Sequence, residues 1–315
     1  MKVLITGGAG FIGSSLADAL LSIEHSVLII DNYITGKKEN NKLHVKQTVV
    51  NGSITDTDLV NNIFTEFRPD IVVHAATSYI DPENYKADVD TNINGTINIV
   101  HFSIKFNVKR LVFLQTSLCY GLNPIRLPIT TDQPLFGATN SGGSSYAITK
   151  TTAELFIELS KINFISFRLA NVYGPRNLSG PLPNFYMNLT SGTNCIITNT
   201  KRDFIFIDDL VSILLMAIDG KGTKKYYNVS TGTDHSIEEL FNLILKNLGQ
   251  NTTSKIINKE MGEDDTVTIL LDPKETEIDF NWKANVSFED GVNSTIQWYK
   301  KNPVFATYTH LKSFI

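Results

Sequence analysis

The sequence is poor in cysteine, has no long apolar segment and carries no excess of basic residues. Its 315 residues include two cysteines, Cys119 and Cys195. They match neither the spacing of metal ligands nor a disulfide framework, so we expect a protein of a reducing compartment without a metal site. No segment resembles a signal peptide or a membrane span, which predicts a cytoplasmic location and no membrane partner. The net charge of -4 provides no basic field and argues against nucleic acid as a partner. A small solute is therefore the expected ligand.

What the sequence does contain is an alternation of short apolar runs with longer segments of helical periodicity. The runs are continuous in Val, Ile and Leu, which indicates strands buried on both faces of a parallel sheet. They lie at residues 3–6, 27–30, 48–51, 71–74, 111–115 and 164–169, with helical segments at 11–21, 57–67, 84–106 and 145–161. We therefore predict an α/β fold, a Rossmann-type doubly wound parallel sheet with helices on both faces.

The regular alternation of short apolar runs and helical segments ends near residue 171, where prolines and glycines cluster. We place a first, cofactor-binding domain over residues 1–170 and a smaller α/β lobe, which would choose the substrate, over 171–315. The stretch of about 204–229 has the pattern of strand, helix and strand, and we expect it to return to the first domain. The last residues, 302–315, have no role that we can assign.

A glycine-rich turn follows the first predicted strand, with the sequence Thr6-Gly7-Gly8-Ala9-Gly10-Phe11-Ile12-Gly13. Gly7 permits a tight turn, Gly10 lets the backbone approach a pyrophosphate, and Gly13 lets the next helix pack closely on the strand. Phosphates would lie at the helix N-terminus, where free N–H groups and the helix dipole favour negative charge. The alternative is an ordinary flexible loop, but the strand-turn-helix context favours a dinucleotide site.

Asp31 ends the second predicted strand, eighteen residues after Gly13. An acidic side chain at this place accepts hydrogen bonds from the adenosine ribose hydroxyls and would repel a 2'-phosphate, so NAD is the predicted cofactor. Without the glycine turn, Asp31 would be an ordinary acid starting a turn before Asn32. Lys37 and Lys38 follow closely and leave NADP open as the alternative.

Three residues suggest a catalytic group: Tyr146 lies thirty residues after Thr116 and four before Lys150. The i, i+4 spacing places the phenol and the ammonium on one face of a helix. A free Tyr has a pKa of about 10 and is a poor base at neutral pH. A neighbouring Lys cation and an oxidised nicotinamide both favour the phenolate, so we expect a lowered pKa for Tyr146. The Thr116 hydroxyl would stabilise charge that develops on a reacting sugar oxygen. A Tyr and a Lys at this spacing are common by chance, but their combination with the glycine turn is not.

Together these residues resemble the NAD-dependent epimerase/dehydratase family, a group of extended short-chain dehydrogenase/reductases that act on nucleotide sugars. The resemblance covers nearly the whole chain. Its further landmarks are His74-Ala75-Ala76, Asn92 with Gly95-Thr96, Tyr120-Gly121, the run RLANVYGPR at 168–176, Arg202-Asp203-Phe204, and Asp272 before Trp282. The run QTSLCYG at 115–121 is more similar to bacterial O-antigen and lipopolysaccharide epimerases than to galactose-pathway enzymes.

The resemblance implies a role for each matching residue. NAD would be held at its pyrophosphate by Gly7, Gly10, Phe11, Ile12 and Gly13, and at its adenosine ribose by Asp31, Asn32, Thr35 and Gly36. Ser53 and Ile54 would flank the adenine, Ala75, Ala76 and Asn92 would line the cofactor cleft, and Leu169 and Ala170 would lie near the nicotinamide. Thr116, Tyr146 and Lys150 would be catalytic, and Tyr146 and Lys150 would also contact NAD. A nucleotide-sugar substrate would contact Thr116, Tyr146, Asn171 and Arg202, with Arg202 at its diphosphate. Taken alone, Arg202 would be an ordinary solvated arginine and Asn171 a loop residue.

Three positions depart from the family pattern. Ser53 stands where the family usually has an acid beside the adenine. Gly262 stands in an acidic stretch, 260–265, where the family often has an Arg that contacts the nucleotide, which weakens an assignment of the base as uracil. Leu118 stands where dehydratases and decarboxylases of the family have a Glu, and leucine cannot transfer a proton. The sequence therefore favours epimerisation or simple reduction.

The function that the resemblance favours is 4-epimerisation of a nucleotide sugar with permanently bound NAD, with Tyr146 as the base that forms a 4-keto intermediate. The alternatives are a 4-keto sugar reductase or a dehydratase of the same family, and last a module that binds NAD without catalysis. The family also implies a homodimer formed by the helices at 84–106 and 145–161. The second of these has apolar residues beyond one buried stripe.

Overall fold

The structure, a computed structural model, describes residues 1–136, 143–249, 256–263 and 265–309. Its strands are β1 Lys2–Thr6, β2 Ser26–Asp31, β3 Gln47–Asn51, β4 Ile71–His74, β5 Arg110–Thr116, β6 Phe164–Leu169, β7 Asn171–Tyr173, β8 Cys195–Thr198, β9 Lys201–Phe206, β10 Tyr226–Val229, β11 Asp234–Ser236, β12 Ile256–Lys259 and β13 Thr268–Ile269. Its helices are α1 Phe11–Ser22, α2 Thr57–Phe67, α3 Tyr85–Asp88, α4 Thr96–Lys105, α5 Ser145–Leu159, α6 Pro181–Ser191, α7 Ile207–Ile218, α8 Ile237–Leu248, α9 Lys274–Phe280 and α10 Phe288–Lys301. Within these described ranges, no helix is long and apolar enough to cross a bilayer.

Seven of the strands form one sheet in the order β10-β6-β5-β4-β1-β2-β3. Neighbouring strands are parallel throughout. For example, Val3 of β1 pairs with Val27 on one side and with Ile71 on the other. The strand order reverses between β1 and β4, and such a reversal leaves a crevice at the carboxyl ends of the two strands. The doubly wound parallel sheet predicted from the sequence is confirmed.

Both faces of the sheet are buried, which is what continuous apolar runs predict. Val3 and Ile5 of β1 lie in a core that includes residues of α1 and α7. Leu4 lies in a second core with residues of α2, α4 and α5. Successive side chains of a strand point to opposite faces of the sheet. A strand that serves two cores must therefore be apolar at nearly every position.

The helix predicted over 84–106 is three consecutive helical segments instead. α3 ends at Asp88, a π-helical segment runs over Val89–Gly95, and α4 begins at Thr96. The Thr96 hydroxyl donates to the carbonyl oxygen of Asn92 (2.6 Å), and the Asn92 side chain reaches the loop after β4. Single π turns of this kind are frequent at functional sites. The other strands and helices predicted for residues 1–170 lie within two residues of the observed bounds.

After β6 the chain builds a smaller α/β part. β7, β11 and β13 all pair with β9, and β12 pairs with β8. Within the stretch 204–229, α7 packs against α1 and β10 joins the main sheet beside β6. β9 itself belongs to the smaller sheet. The division into a cofactor domain, 1–170 with about 204–229, and a substrate lobe in the remainder stays our proposal.

Candidate active site

A cavity of about 830 Å³ lies between the carboxyl ends of the main-sheet strands and the smaller α/β part. The predicted site residues on its wall are Gly7, Gly10, Phe11, Ile12, Gly13, Asp31, Asn32, Thr35, Ser53, Ile54, Ala75, Ala76, Thr116, Tyr146, Lys150, Leu169, Ala170, Asn171 and Arg202. Two others, Gly36 and Asn92, are not on the wall. Residues from distant parts of the chain therefore meet at one cavity.

The glycines of the first turn differ in what surrounds them. Gly7 has φ +67, and a Cβ there would lie 2.8 Å from backbone atoms of Ala76. A Cβ at Gly13 would lie 2.4 Å from the carbonyl oxygen of Gly7. A Cβ at Gly10 would meet one atom within 4 Å, the same oxygen, at 3.2 Å. Gly7 and Gly13 are therefore needed by the turn itself, whereas the space at Gly10 opens towards the cavity.

This turn and Asp31 form a cradle that fits a dinucleotide. The first backbone bond of α1 runs from the Ser14 N–H to the Gly10 carbonyl (3.1 Å), and the N–H groups before it have no intrahelical acceptor. Asp31, at the end of β2, is held by the backbone N–H groups of Ala9 and Tyr33, both at 2.8 Å. A Cβ at Gly36 would lie 2.7 Å from an Asp31 carboxylate oxygen, so Gly36 acts on the site through its packing against Asp31.

Asn92 lies behind the cavity wall, where it connects two parts of the site. Its side-chain oxygen accepts from the Ser78 N–H (2.8 Å) and from the Thr77 hydroxyl (2.9 Å). Its amide donates to the Thr149 hydroxyl on α5 (3.0 Å). The family resemblance implies a place for Asn92 in the cofactor cleft, but the structure places it where it fixes the loop after β4 against α5.

The three predicted catalytic residues come together at the cavity. Tyr146 lies in the first turn of α5, whose N-terminus is capped by Ser144. The Tyr146 hydroxyl is hydrogen-bonded to that of Thr116, at the end of β5. Lys150 is 2% exposed, and its Nζ lies 3.9 Å from the centroid of the Phe113 ring. One helix and one strand end thus bring the phenol, the hydroxyl and the ammonium to the same wall.

The pKa of Tyr146 is raised rather than lowered in the protein alone. Burial raises the pKa of Tyr146, the neighbouring Tyr79 adds to the rise, and the hydrogen bond with Thr116 opposes it. Burial also lowers the pKa of Lys150 to about 7, while the Glu154 carboxylate opposes that fall. From the sequence, we expect a lowered pKa for Tyr146 because of the charge of Lys150. That expectation does not include the loss of solvent around both groups, which raises the pKa of the phenol and lowers that of the ammonium. A phenolate at Tyr146 would therefore require positive charge nearby, which Lys150 and an oxidised nicotinamide could supply.

An ion pair that the sequence analysis does not predict lies close to Lys150. Glu154 lies one helical turn further along α5 and pairs with Arg168 of β6 at 2.8 Å, with side chains that are 1% and 5% exposed. Glu154 also accepts a hydrogen bond from the Ser166 hydroxyl, and Arg168 donates to the hydroxyl of Tyr120 (3.1 Å). One feature of the sequence could have indicated this ion pair. Glu154 is an acidic residue eight positions after Tyr146, on a helix that packs on the sheet.

The two remaining residues predicted for substrate binding, besides Thr116 and Tyr146, are differently placed. Asn171 begins β7 and lines the cavity. Arg202 also lines it, but its guanidinium pairs with Asp265 (2.5 Å) and donates to the carbonyl of Thr266 (2.9 Å). The acidic stretch 260–265 thus supplies the partner of Arg202, and a diphosphate would have to share this arginine with Asp265. In the part of the chain that the structure describes, no cluster of three His, Cys, Asp or Glu side chains could hold a metal.

Comparison by sequence places these features among known proteins. A model of the NAD dependent epimerase/dehydratase family matches residues 3–230. The putative UDP-glucose 4-epimerase of Methanocaldococcus jannaschii is 31% identical over 95% of this chain and 99% of its own length. Other relatives of similar coverage are named as a UDP-N-acetyl-alpha-D-glucosaminuronate decarboxylase and a dTDP-D-glucose 4,6-dehydratase.

Comparison of structures gives the same relationship. The Bordetella bronchiseptica enzyme WbmH in complex with NAD+ is 41% identical, with a TM-score of 0.91 over 96% of this chain and 99% of that one. The enzyme WbmG of the same organism, in complex with NAD and UDP, is 40% identical, with a TM-score of 0.90 over 99% of both chains. The similarity extends over the main sheet and the smaller α/β part.

Proposed function

Because the chain belongs to the NAD-dependent epimerase/dehydratase family, we propose that it is a nucleotide-sugar epimerase that inverts C4 through a transient 4-keto intermediate. NAD is its cofactor, as in the family and in the related structures. One observation favours the epimerase over its relatives: Leu118, Ala147 and Ile269 form a buried apolar cluster, against which Tyr146 packs. Elimination or decarboxylation needs a second proton-transferring group beside the reacting sugar, and the apolar cluster occupies the position expected for that group.

We assign the cradle at β1 and β2 to NAD. The N–H groups of Phe11, Ile12 and Gly13 would bind its pyrophosphate, and Asp31 would accept hydrogen bonds from the ribose hydroxyls. Lys150 would donate to the cofactor ribose on the nicotinamide side. When bound, NAD supplies the acceptor and donor of the hydride that leaves C4 and returns to it.

We assign the acid-base work to Tyr146. Its phenolate would take the proton of the C4 hydroxyl as the carbonyl forms, and would return it after the sugar has turned its other face. Thr116, hydrogen-bonded to Tyr146, would orient the phenol and stabilise charge on the C4 oxygen. Lys150 would keep positive charge beside the phenolate.

A nucleotide sugar is the proposed substrate. The related WbmG structure holds UDP, and a UDP-glucose 4-epimerase of Thermotoga maritima, 29% identical, was solved with UDP-glucose. The cavity of about 830 Å³ continues from the NAD cradle past Tyr146 to Asn171 and Arg202. It has room for a sugar diphosphate beside the cofactor, with Arg202 as a donor to phosphate oxygens.

We also propose a homodimer formed through α4 and α5. Large apolar side chains are exposed along these helices and the π segment before them: Val89, Ile97, Ile104, Ile148, Leu155, Phe156 and Leu159. Exposed apolar side chains on neighbouring helices are typical of an interaction site, and a second copy of the chain would cover them by two-fold symmetry. The two buried free cysteines are consistent with the cytoplasmic location that we propose.

The experiment that tests this function begins with purified full-length protein. Denaturation should release stoichiometric NAD, measured by absorbance. Incubation with UDP, dTDP, CDP and GDP hexoses, without added NADH, should invert C4 of at least one of them, which proton NMR detects through the ring coupling constants.

The other outcomes separate the alternatives. Protein that is empty of NAD but oxidises added NADH with a 4-keto sugar nucleotide would be a reductase. Loss of water from the sugar would indicate a dehydratase. Tightly bound NAD with no change in any sugar of the panel would leave a module that binds NAD without catalysis.

A further inference from the structure

The chain returns to the cavity after its last helix. Residues 302–309, here called the C-terminal strap, follow α10 and run beside the loop 177–180 between β7 and α6. The Tyr308 N–H donates to the carbonyl of Leu178 (2.8 Å), and the Gly180 N–H lies 3.4 Å from the Tyr308 carbonyl. These bonds form a parallel β-bridge between Ser179 and Tyr308.

The loop that receives the strap is itself anchored in the core. Asn177 is buried, and its side-chain oxygen accepts from the Ser179 N–H (2.9 Å). The carbonyl of Asn177 accepts from the hydroxyl of Tyr299 on α10 (2.6 Å). The loop to which Tyr308 is bonded is therefore held in place by α10 and by its own side chain at Asn177.

The strap presents different side chains to the core, the cavity and the solvent. Val304 packs against the main core, whereas Phe305 is 84% exposed. Thr307, Tyr308 and Thr309 line the cavity. Residues 310–315 lie outside the described residues, but the described part of the segment 302–315, to which the sequence assigns no role, thus supplies part of the wall of the candidate active site.

Tyr79 connects this wall to the base by one hydrogen bond and one ring contact. Tyr79 follows β4 and lines the same cavity, and its hydroxyl is hydrogen-bonded to Ser179, next to Tyr308. Burial raises the pKa of Tyr79 to about 12, so this phenol stays protonated and can donate. The Tyr79 ring meets the Tyr146 ring edge to face, with centroids 6.0 Å apart. Tyr308, Ser179 and Tyr79 therefore lie on the side of the cavity where C4 of a sugar would react.

We propose that the C-terminal strap forms the sugar subsite and that Tyr308 is a specificity-determining residue that contacts the hexose ring of the substrate. The inference rests on the proposed function, because it assumes that a sugar reacts at Tyr146. A phenol offers an apolar ring face to the C–H groups of a hexose and a hydroxyl to its polar substituents. Tyr308 lies on the side of the cavity where Tyr79 is. The candidate contact of the diphosphate is a different residue, Arg202, which is paired with Asp265. Tyr308 should therefore affect binding of the sugar and leave binding of the nucleoside diphosphate unchanged.

The test measures binding to the NAD-loaded, full-length protein by calorimetry. The probes are UDP, UDP-glucose, UDP-N-acetylglucosamine and dTDP-glucose. The variants are Tyr308→Ala and Tyr308→Phe, and Phe305→Ala is the control because Phe305 is in the same strap but faces solvent. NAD content and melting temperature are measured for each variant.

Tyr308→Ala should weaken binding of at least one UDP-sugar about tenfold, while binding of UDP changes less than about twofold. Tyr308→Phe, which removes one hydroxyl, should weaken the same UDP-sugar about threefold, the size expected for one hydrogen bond. Phe305→Ala should change neither.

Three results would overturn the proposal. In the first, a Tyr308 variant binds UDP and UDP-sugars equally more weakly, which would assign the strap to the nucleotide. In the second, Tyr308→Phe and a folded Tyr308→Ala bind every probe like the wild type. If Tyr308→Ala does not fold, unchanged binding by Tyr308→Phe decides against the sugar contact. In the third, the wild type binds none of these probes and none of the CDP and GDP hexoses of the activity panel, and then the proposed function fails as well. The first two leave that function intact.

Discussion

Replacing Glu154 by glutamine removes a negative charge from the interior behind Lys150. Glu154 and Arg168 are paired at 2.8 Å and almost wholly buried, so the variant leaves the guanidinium without its counter-ion. Removing one partner of a buried ion pair costs about 3–5 kcal/mol. With an unfolding entropy of about 0.7 kcal/mol/K for a chain of this length, the melting temperature should fall by about 4–7 °C.

The same substitution should change the pH dependence of turnover. Lys150 has a pKa of about 7, and the Glu154 carboxylate holds it above the value that burial alone would give. Without that carboxylate the ammonium loses its proton at lower pH, and the support for the Tyr146 phenolate is lost with it. His74 also lies near Lys150, and its pKa is lowered to about 3 by burial and by the charge of Lys150. His74 is therefore uncharged across the range tested, and the high-pH limb of the rate profile should move to lower pH.

The assay is a pH profile of C4 inversion between pH 6 and 9, together with a thermal melt. Glu158→Gln is the matched control, because Glu158 lies one turn further along α5 and pairs with Lys225 at the surface, at 3.5 Å. Exposed pairs contribute about 0–1 kcal/mol, so this variant should match the wild type in both measurements. A lowered melting temperature with an unmoved high-pH limb would refute the link between Glu154 and Lys150. An unchanged melting temperature would refute the cost assigned to the ion pair.

Three further predictions concern the glycine turn, the base and the dimer. With NAD removed from all proteins, Gly10→Ala should melt within about 1 °C of the wild type, whereas Gly13→Ala, whose Cβ would lie 2.4 Å from a backbone oxygen, should lose about 1–3 kcal/mol of stability. Both variants should bind NAD more weakly than the wild type, and bound NAD would itself raise the melting temperature. A destabilised NAD-free Gly10→Ala beside an unaffected Gly13→Ala would contradict the roles assigned. Tyr146→Phe should retain NAD, but its rate of C4 inversion should fall by at least about a hundredfold. The control Tyr186→Phe, on α6 and off the cavity wall, should invert C4 at the wild-type rate. Full activity in Tyr146→Phe would show that Tyr146 is not the base. Leu155→Glu with Leu159→Glu should convert a dimer into a monomer in sedimentation, and a monomeric wild type at micromolar concentration would contradict the proposed dimer.

The features that could be predicted from the sequence are those encoded within a few residues. The runs at β1, β2 and β4 consist mainly of Val, Leu and Ile because both faces of the sheet are covered, so the fold class could be predicted from them. The glycine turn and Asp31 follow a local motif whose spacing reflects the geometry of one strand, one turn and one helix.

The features that were missed depend on residues far apart in the chain. The pKa values of Tyr146 and Lys150 follow from burial, which no spacing between the two reveals. Arg202 and Asp265 both belong to stretches that the sequence singles out, but their ion pair forms only when the chain after β12 returns to β9. Tyr308 reaches the cavity through backbone bonds to the loop 177–180, and backbone bonds leave no signature in side-chain types.

The most direct test of the central claim uses a nucleotide sugar that carries deuterium at C4, chosen as the member of the panel that the protein inverts. An epimerase that removes hydride from C4 and returns it to the same carbon should leave the deuterium at C4 of both epimers, with no hydrogen taken from solvent at that position, as observed by NMR. Deuterium found at C6, or exchanged for solvent hydrogen at C4, would contradict inversion through a 4-keto intermediate held beside Tyr146.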